Sequence, residues 1–119
     1  MTTAIHLFDK EQDYTAYPSG QAVFKEGDVG EYMYVVKEGE IEILRDGRVL
    51  DTIGSGGVFG EMALIDDLPR SASAIAKTDS KLVLVNRRRF LFLVQETPFF
   101  AIQLMSIMAD RLRRSSPRG

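Results

Sequence analysis

The chain has no cysteine. That excludes a disulfide framework, a thiolate metal site and a cysteine nucleophile. Histidine occurs once, at His6. Metal-dependent barrel enzymes need several histidines on inner strands, so a single one near the start speaks against that class and reads as a surface residue. No metal site is expected. No run of about 18 apolar residues occurs, and no basic-then-apolar leader opens the chain. A membrane span and a secretion signal are therefore not expected, and a cytoplasmic location is the default.

The hydrophobic share is 45%, ordinary for a soluble globular chain, and 119 residues suffice for one domain with one real core. The net charge of −2 is unevenly spread. Residues 87–119 hold seven arginines against Glu96 and Asp110, a balance of +5, which leaves −7 for residues 1–86. A basic end can suggest nucleic acid, but arginines interleaved with a greasy helix read as a solvated face.

Between Tyr14 and Val85 the pattern is one of short strands separated by turn residues. Tyr14–Tyr17 stops at Pro18-Ser19-Gly20, and Ala22–Lys25 stops at Glu26-Gly27-Asp28. Tyr32–Lys37 ends at Glu38-Gly39. Ile41–Arg45 alternates apolar and polar, and Asp46-Gly47 is a two-residue hairpin signal leading into Val49–Ile53. Ala72–Ala76 and Lys81–Val85 form the last pair. Such spacing predicts a β-barrel or jelly roll. The glycines at 20, 27, 30, 39, 47 and 54 read as turn formers. Ahead of the strands, Asp9–Gln12 can form one polar helical turn.

After Val85 the period becomes helical. Asn86 caps a helix starting at Arg87, with Phe90, Leu91, Leu93 and Val94 on its apolar face. Arg87, Arg88 and Arg89 oppose the dipole of that helix, and pairing with acids on the barrel is the simplest account of them. Thr97 caps a second helix with Pro98 at its first position. Ala101, Ile102, Leu104, Met105, Met108, Ala109 and Leu112 cover an arc of roughly 160° on it, with Phe99, Phe100 and Ile107 outside. That is more apolar surface than one barrel needs, so part of it must cover a ligand or meet a partner. Ser115–Gly119 reads as a frayed tail.

The stretch everything else serves is Gly56–Ala76. Glycines let the backbone come close to a ligand. Glu61–Ile65 makes about a turn and a half of helix, whose unpaired first amides attract anions. Asp66-Asp67-Leu68-Pro69 ends it, and Arg70 enters the next strand. A helix start, one arginine and the Ser71 hydroxyl make a pocket for one phosphate. Glu61 would repel that phosphate, and suits a neighbouring hydroxyl such as a ribose 2′-OH.

Phe59-Gly60-Glu61-Met62-Ala63-Leu64-Ile65, three residues, then Pro69-Arg70-Ser71-Ala72-Ser73 resembles the phosphate-binding cassette of cyclic nucleotide-binding domains. About ten positions at fixed spacing carry the likeness, far more than a lone glycine motif. It extends from about Phe8 to Arg114. It implies a mainly β fold, an eight-stranded jelly-roll β-barrel at about 14–86. A short N-terminal helix, a short cassette helix and two C-terminal helices at about 87–114 flank it, all in one domain over 1–119. It implies that Glu61 takes the ribose 2′-OH and Arg70 the cyclic phosphate. Amides near Gly60, Met62, Ala63 and Ala72 complete the site, with the Ser71 hydroxyl on the phosphate. In the family the last helix lids the base and, in the activators, forms the dimer seam. Candidate base contacts are Val58, Met105, Met108 and Leu112.

Four function classes follow. A sensor would bind a cyclic nucleotide and move its C-terminal helices, acting on a protein effector supplied in trans. A DNA-binding regulator would need a helix-turn-helix after the long helix, for which the chain leaves no room, so direct DNA binding is not expected. A phosphodiesterase would need metals or a free general base, and Glu61 is expected to be held by the sugar, so no enzyme and no cofactor are expected. The fourth is a protein-interaction scaffold with an empty pocket, in which Glu61 and Arg70 pair with each other. Ser71 stands where cGMP-selective kinase sites often have threonine and cAMP-selective ones alanine; it resembles the bacterial activators and can serve the phosphate alone, which favours cAMP over cGMP. The expected oligomeric state is a monomer or a weak homodimer through the last helix.

Overall fold

The computed structural model describes residues 7, 8 and 10–115. His6 and the tail beyond 115 lie outside the described residues. Eight strands form two antiparallel four-stranded sheets. The first sheet runs in the order β1 (Thr15–Tyr17), β8 (Ser80–Asn86), β3 (Tyr32–Glu38), β6 (Val58–Phe59). The second runs β2 (Ala22–Phe24), β7 (Ser73–Ala76), β4 (Ile41–Arg45), β5 (Arg48–Ile53). Among the described residues there are also three helices: α1 (Met62–Asp66), α2 (Arg87–Glu96) and α3 (Pro98–Ser115). Among the described residues, no single helix is long and apolar enough to cross a membrane.

The strands follow the sequence pattern closely. The β4–β5 hairpin turns at Asp46 (φ 53°) and Gly47 (φ 75°), two left-handed residues in succession, as the Asp-Gly signal requires. The pair Val58-Phe59 was not separable from the glycines around it. It becomes β6 because it pairs with Tyr34 and Val35 of β3. Before β1, the described residues make a turn closed by the Glu11 amide on the Phe8 carbonyl (3.0 Å) and no helix. Asp9 of the expected helical turn lies outside the described residues.

Two apolar cores share one strand. Successive residues of a strand face opposite ways. On β3, Tyr34 and Val36 face the second sheet and pack with Ile41, Ile53, Phe59, Ala74, Ala76 and Leu82. Met33 and Val35 face outward and pack with Val58, Leu64, Val83, Val85 and the helices. Phe90 of α2 and Phe100, Leu104 and Ile107 of α3 close that second core.

This overturns the expected face of the last helix. The buried stripe is Phe100, Leu104 and Ile107, at the i, i+4, i+7 spacing of one helix face. Phe100 and Ile107 had been placed outside the apolar arc. Ile102, Met105 and Leu112, placed within it, are more than half exposed. The α3 sequence carries two apolar stripes, and merging them into one arc centred it on the wrong side. Hydrophobicity alone does not rank two stripes; aromatic bulk at position 100 does, because Phe100 meets Phe90 edge-on with ring centroids 6.0 Å apart.

The helix starts behave as their sequences direct. Asn86 accepts from the Arg89 amide (2.8 Å) and caps α2. Pro98 opens α3. Two of the three arginines at the head of α2 find acids. Arg87 pairs with Asp67, and Arg89 with Glu11 at 2.5 Å. Arg89 also holds the Glu11 carboxyl below the usual carboxylate range by hydrogen bonding to it. Arg88 is exposed.

Candidate functional site

Gly60 is the hinge of the site. Its φ of 78° is open to glycine at no steric cost, and a Cβ there would stand 2.9 Å from Arg70 Nη1. The next residue, Glu61, precedes α1 with no side-chain cap, so its carboxylate is turned elsewhere. The helix ends at Asp67 in the left-handed conformation (φ 58°), which an aspartate tolerates. The chain therefore leaves α1 two residues before Pro69. The α1 carbonyls of Ala63 and Leu64, at its negative end, accept from Arg87 at 3.3 and 2.7 Å. That basic residue at the head of α2 thus serves another helix's C-terminus.

Arg70 is buried, with 6% exposure. Its Nη1 donates to the Gly60 carbonyl (2.7 Å) and Nη2 to the Tyr32 carbonyl (2.6 Å). The guanidinium carbon lies 4.1 Å from the centre of the Phe24 ring and 5.8 Å from that of Tyr34. Its Nε is buried without a hydrogen-bond partner among the described residues, and Arg70 joins no ion pair there. Burial holds the guanidinium below arginine's ordinary range, against the opposing pull of Tyr34, Glu61 and Asp28. A buried cation without a counter-anion is costly, and an anion arriving at it relieves the cost.

Gly30 makes room for this arrangement. A Cβ there would stand 2.4 Å from Ala63 Cβ and 2.7 Å from Arg70 Cζ. Its backbone is not left-handed, so it is no turn former, as the sequence pattern had suggested; it is a packing gap under the arginine. Nothing local in the sequence marks it, because the clash comes from residues more than thirty positions away.

Glu61 is also buried, at 4%. It does not pair with Arg70. Its Oε1 accepts from Nη1 of Arg111 on α3, whose Nη2 donates to the Val58 carbonyl. Arg111 in turn lies 3.9 Å from Asp51 Oδ2 on β5, and Arg114 reaches both oxygens of Asp51 at 3.2 Å. Arg111 was not among the residues the sequence singled out. It continues the buried stripe of α3, eleven residues after Phe100 and four after Ile107. A charged residue on an otherwise buried stripe was the signal available.

The remaining site residues fall into two groups. Ala63 and Ala72 are buried and bring the backbone against the site, and Gly60 accepts from Arg70. Met62 is 47% exposed, so any contribution from it is through its amide. Ser71 is exposed, and its carbonyl accepts from Arg45 Nε (2.9 Å). The candidate base contacts do not converge. Val58 is fully buried, because its pairing with Val35 turns its side chain into the helical core. Met108 packs on the same core, whereas Met105 and Leu112 are exposed. The α3 side chain that reaches the Glu61 carboxylate is Arg111, while Phe100, Leu104 and Ile107 pack in the core that holds Val58 and Leu64. Among the described residues, no group of three His, Cys, Asp or Glu side chains could hold a metal ion.

A two-sheet roll with a glycine-hinged turn of helix, a buried cation without a counter-anion and a buried carboxylate on the residue after the hinge is the architecture of a module for small anionic ligands. The chain belongs to the cyclic nucleotide-binding domain family, whose model matches residues 14–97. It is 38% identical over 104 residues to the cyclic AMP receptor protein of Thermus thermophilus, covering 83% of this chain and 48% of that protein. The crystal structure of the Thermus thermophilus catabolite activator protein superposes with a TM-score of 0.80 at 37% identity, over 87% of this chain and 51% of that one. A cGMP-dependent protein kinase of Drosophila melanogaster is 35% identical over 81 residues, 68% of this chain and 7% of that protein. The chain thus spans about half the length of the Thermus receptor.

Proposed function

We propose that this domain is a regulatory sensor that binds a cyclic nucleotide, cAMP in preference to cGMP, and answers by fixing the pose of α2 and α3. One observation carries the reading: Arg70 is buried, ordered by two carbonyls and supplied with no anion by the described residues. The cyclic phosphate is that anion. Glu61 takes the ribose 2′-OH, the Ser71 hydroxyl and the amides around Ala63 and Ala72 complete the phosphate shell, and the base points toward α3. The module binds its ligand and does not transform it.

The name of the Thermus relative supports cAMP, as does Ser71 in place of threonine. The name of the Drosophila relative keeps cGMP as the second reading. Against an empty scaffold stands the separation of the two charges: Glu61 has its own partner, so Arg70 is not spent on it. The exposed α3 stripe of Ile102, Met105 and Leu112, with Phe99, is the surface for a protein effector or for weak pairing with a second copy.

Calorimetric titration with cAMP, cGMP and linear 5′-AMP tests the proposal. Saturable binding of cAMP, weaker binding of cGMP and none of 5′-AMP are expected. The absence of binding by either cyclic nucleotide overturns it.

A further inference from the structure

The ribose side of the site is built from three elements: the cassette, α3 and β5. Glu61 contributes the carboxylate. Arg111 touches only its Oε1, and Oε2 has no hydrogen-bond partner among the described residues. A ribose hydroxyl and Arg111 can therefore share this carboxylate, one oxygen each. Arg111 is held by two acceptors, Glu61 and the Val58 carbonyl, and by the charge of Asp51, an ion pair at 3.9 Å on its Nε side. The side chain of Asp51 is only 21% exposed, although β5 is an edge strand with Val49 and Leu50 about half exposed. Asp51 is thus more shielded than its neighbours at positions 48–50 and 52, and the cations on it are Arg111 and Arg114.

On the reading that the domain binds a cyclic nucleotide, we infer that Asp51 is a positioning residue for ribose recognition. It acts through Arg111. The Asp51 charge draws the guanidinium toward β5, which leaves Nη1 directed at Glu61 and fixes the carboxylate with Oε2 toward the sugar. Without it, Arg111 is free to turn about its long stem, and the buried carboxylate loses its fixed direction. Among the described residues Arg70 hydrogen-bonds to Gly60 and Tyr32 and to neither Arg111 nor Asp51, so the phosphate half meets this relay only at Glu61, whose charge pulls on Arg70. Asp51 thus acts on recognition of the 2′-OH and not on recognition of the phosphate.

The experiment compares cAMP with 2′-deoxy-cAMP on the full chain and on three variants. Asp51→Asn keeps the shape and the acceptor that the Thr52 amide uses at 2.9 Å, and removes the charge. It should lower cAMP affinity about two- to fivefold, the range of a partly exposed charge pair, and leave 2′-deoxy-cAMP within about 1.5-fold. Asp51→Glu should restore part of the loss. Arg114→Ala removes the other cation on Asp51 without touching Glu61, and should change both ligands by one common factor. Equal losses for both ligands in Asp51→Asn, or a ribose-selective loss in Arg114→Ala, overturn the assignment. Failure of the unaltered chain to bind cAMP would instead remove the proposed function on which it rests.

Discussion

The site holds two buried charges that the fold treats in opposite ways. Arg70 is seated by carbonyls and aromatic faces from the barrel itself and has no acid paired with it among the described residues. Glu61, nine residues earlier, is matched by an arginine from the last helix. The contacts that seat the cation come from the barrel, and the contact that orients the carboxylate comes from α3. On the proposed reading, a ligand carrying both a phosphate and a hydroxyl ties affinity to the barrel and response to the helix, and any coupling between ligand and helix runs in both directions.

The first way to break this contrast is Arg70→Ala. It removes the one buried arginine among the described residues, which on the proposed reading faces the phosphate, and loss of one partner of a buried charge pair costs about 3–5 kcal/mol. Titration should show binding nearly abolished for cAMP and for 2′-deoxy-cAMP alike, and a loss below tenfold would mean that the phosphate sits elsewhere. Gly30→Ala attacks the same half without removing a charge. The added methyl meets backbone-anchored Ala63 and the guanidinium, so overpacking of about 1–3 kcal/mol should appear in a thermal melt together with weaker binding of both ligands.

Glu61→Gln sharpens the other half. One charged hydrogen bond becomes neutral, a loss of about 1–3 kcal/mol for cAMP, and the loss should be smaller for the 2′-deoxy ligand. Equal losses would show that the carboxylate does not hold the ribose. The smallest effect is expected at Met105→Ser on the outer stripe of α3. Affinity should change by less than about twofold, because the side chain is 55% exposed. A tenfold loss would make Met105 a base contact after all, on a helix rolled from its present pose. Truncation from Met105 is a poorer probe, since it also removes Ile107 from the core.

Much of this was legible in the chain. Strand positions, the Asp-Gly hairpin, the cap at Asn86, the helix start at Pro98 and the cassette are local signals, and each lies within a few residues of what it specifies. Apart from the helical turn expected near residues 9–12, the misses are long-range. Gly30 is read only once Arg70 is folded onto it. Val58 has its face fixed by pairing with Val35. Arg87 reaches an α1 terminus more than twenty residues away, and Arg111 reaches Glu61 across fifty. On α3 the helical period held, but two apolar stripes leave the rotation of the helix open until an aromatic partner is known.

Strand β3 lies between both cores, and it is a single residue thick. Tyr34 leans on Phe59 with nearly parallel rings at 5.0 Å on the side that holds Arg70, while its neighbours Met33 and Val35 belong to the core closed by α2 and α3. A wall of that kind transmits displacement without a hinge, because packed side chains on its two faces share one backbone. Amide hydrogens of Met33 to Val36 should therefore exchange among the slowest in the domain, and phosphate arriving at Arg70 should slow the exchange of α2 amides that never meet the ligand.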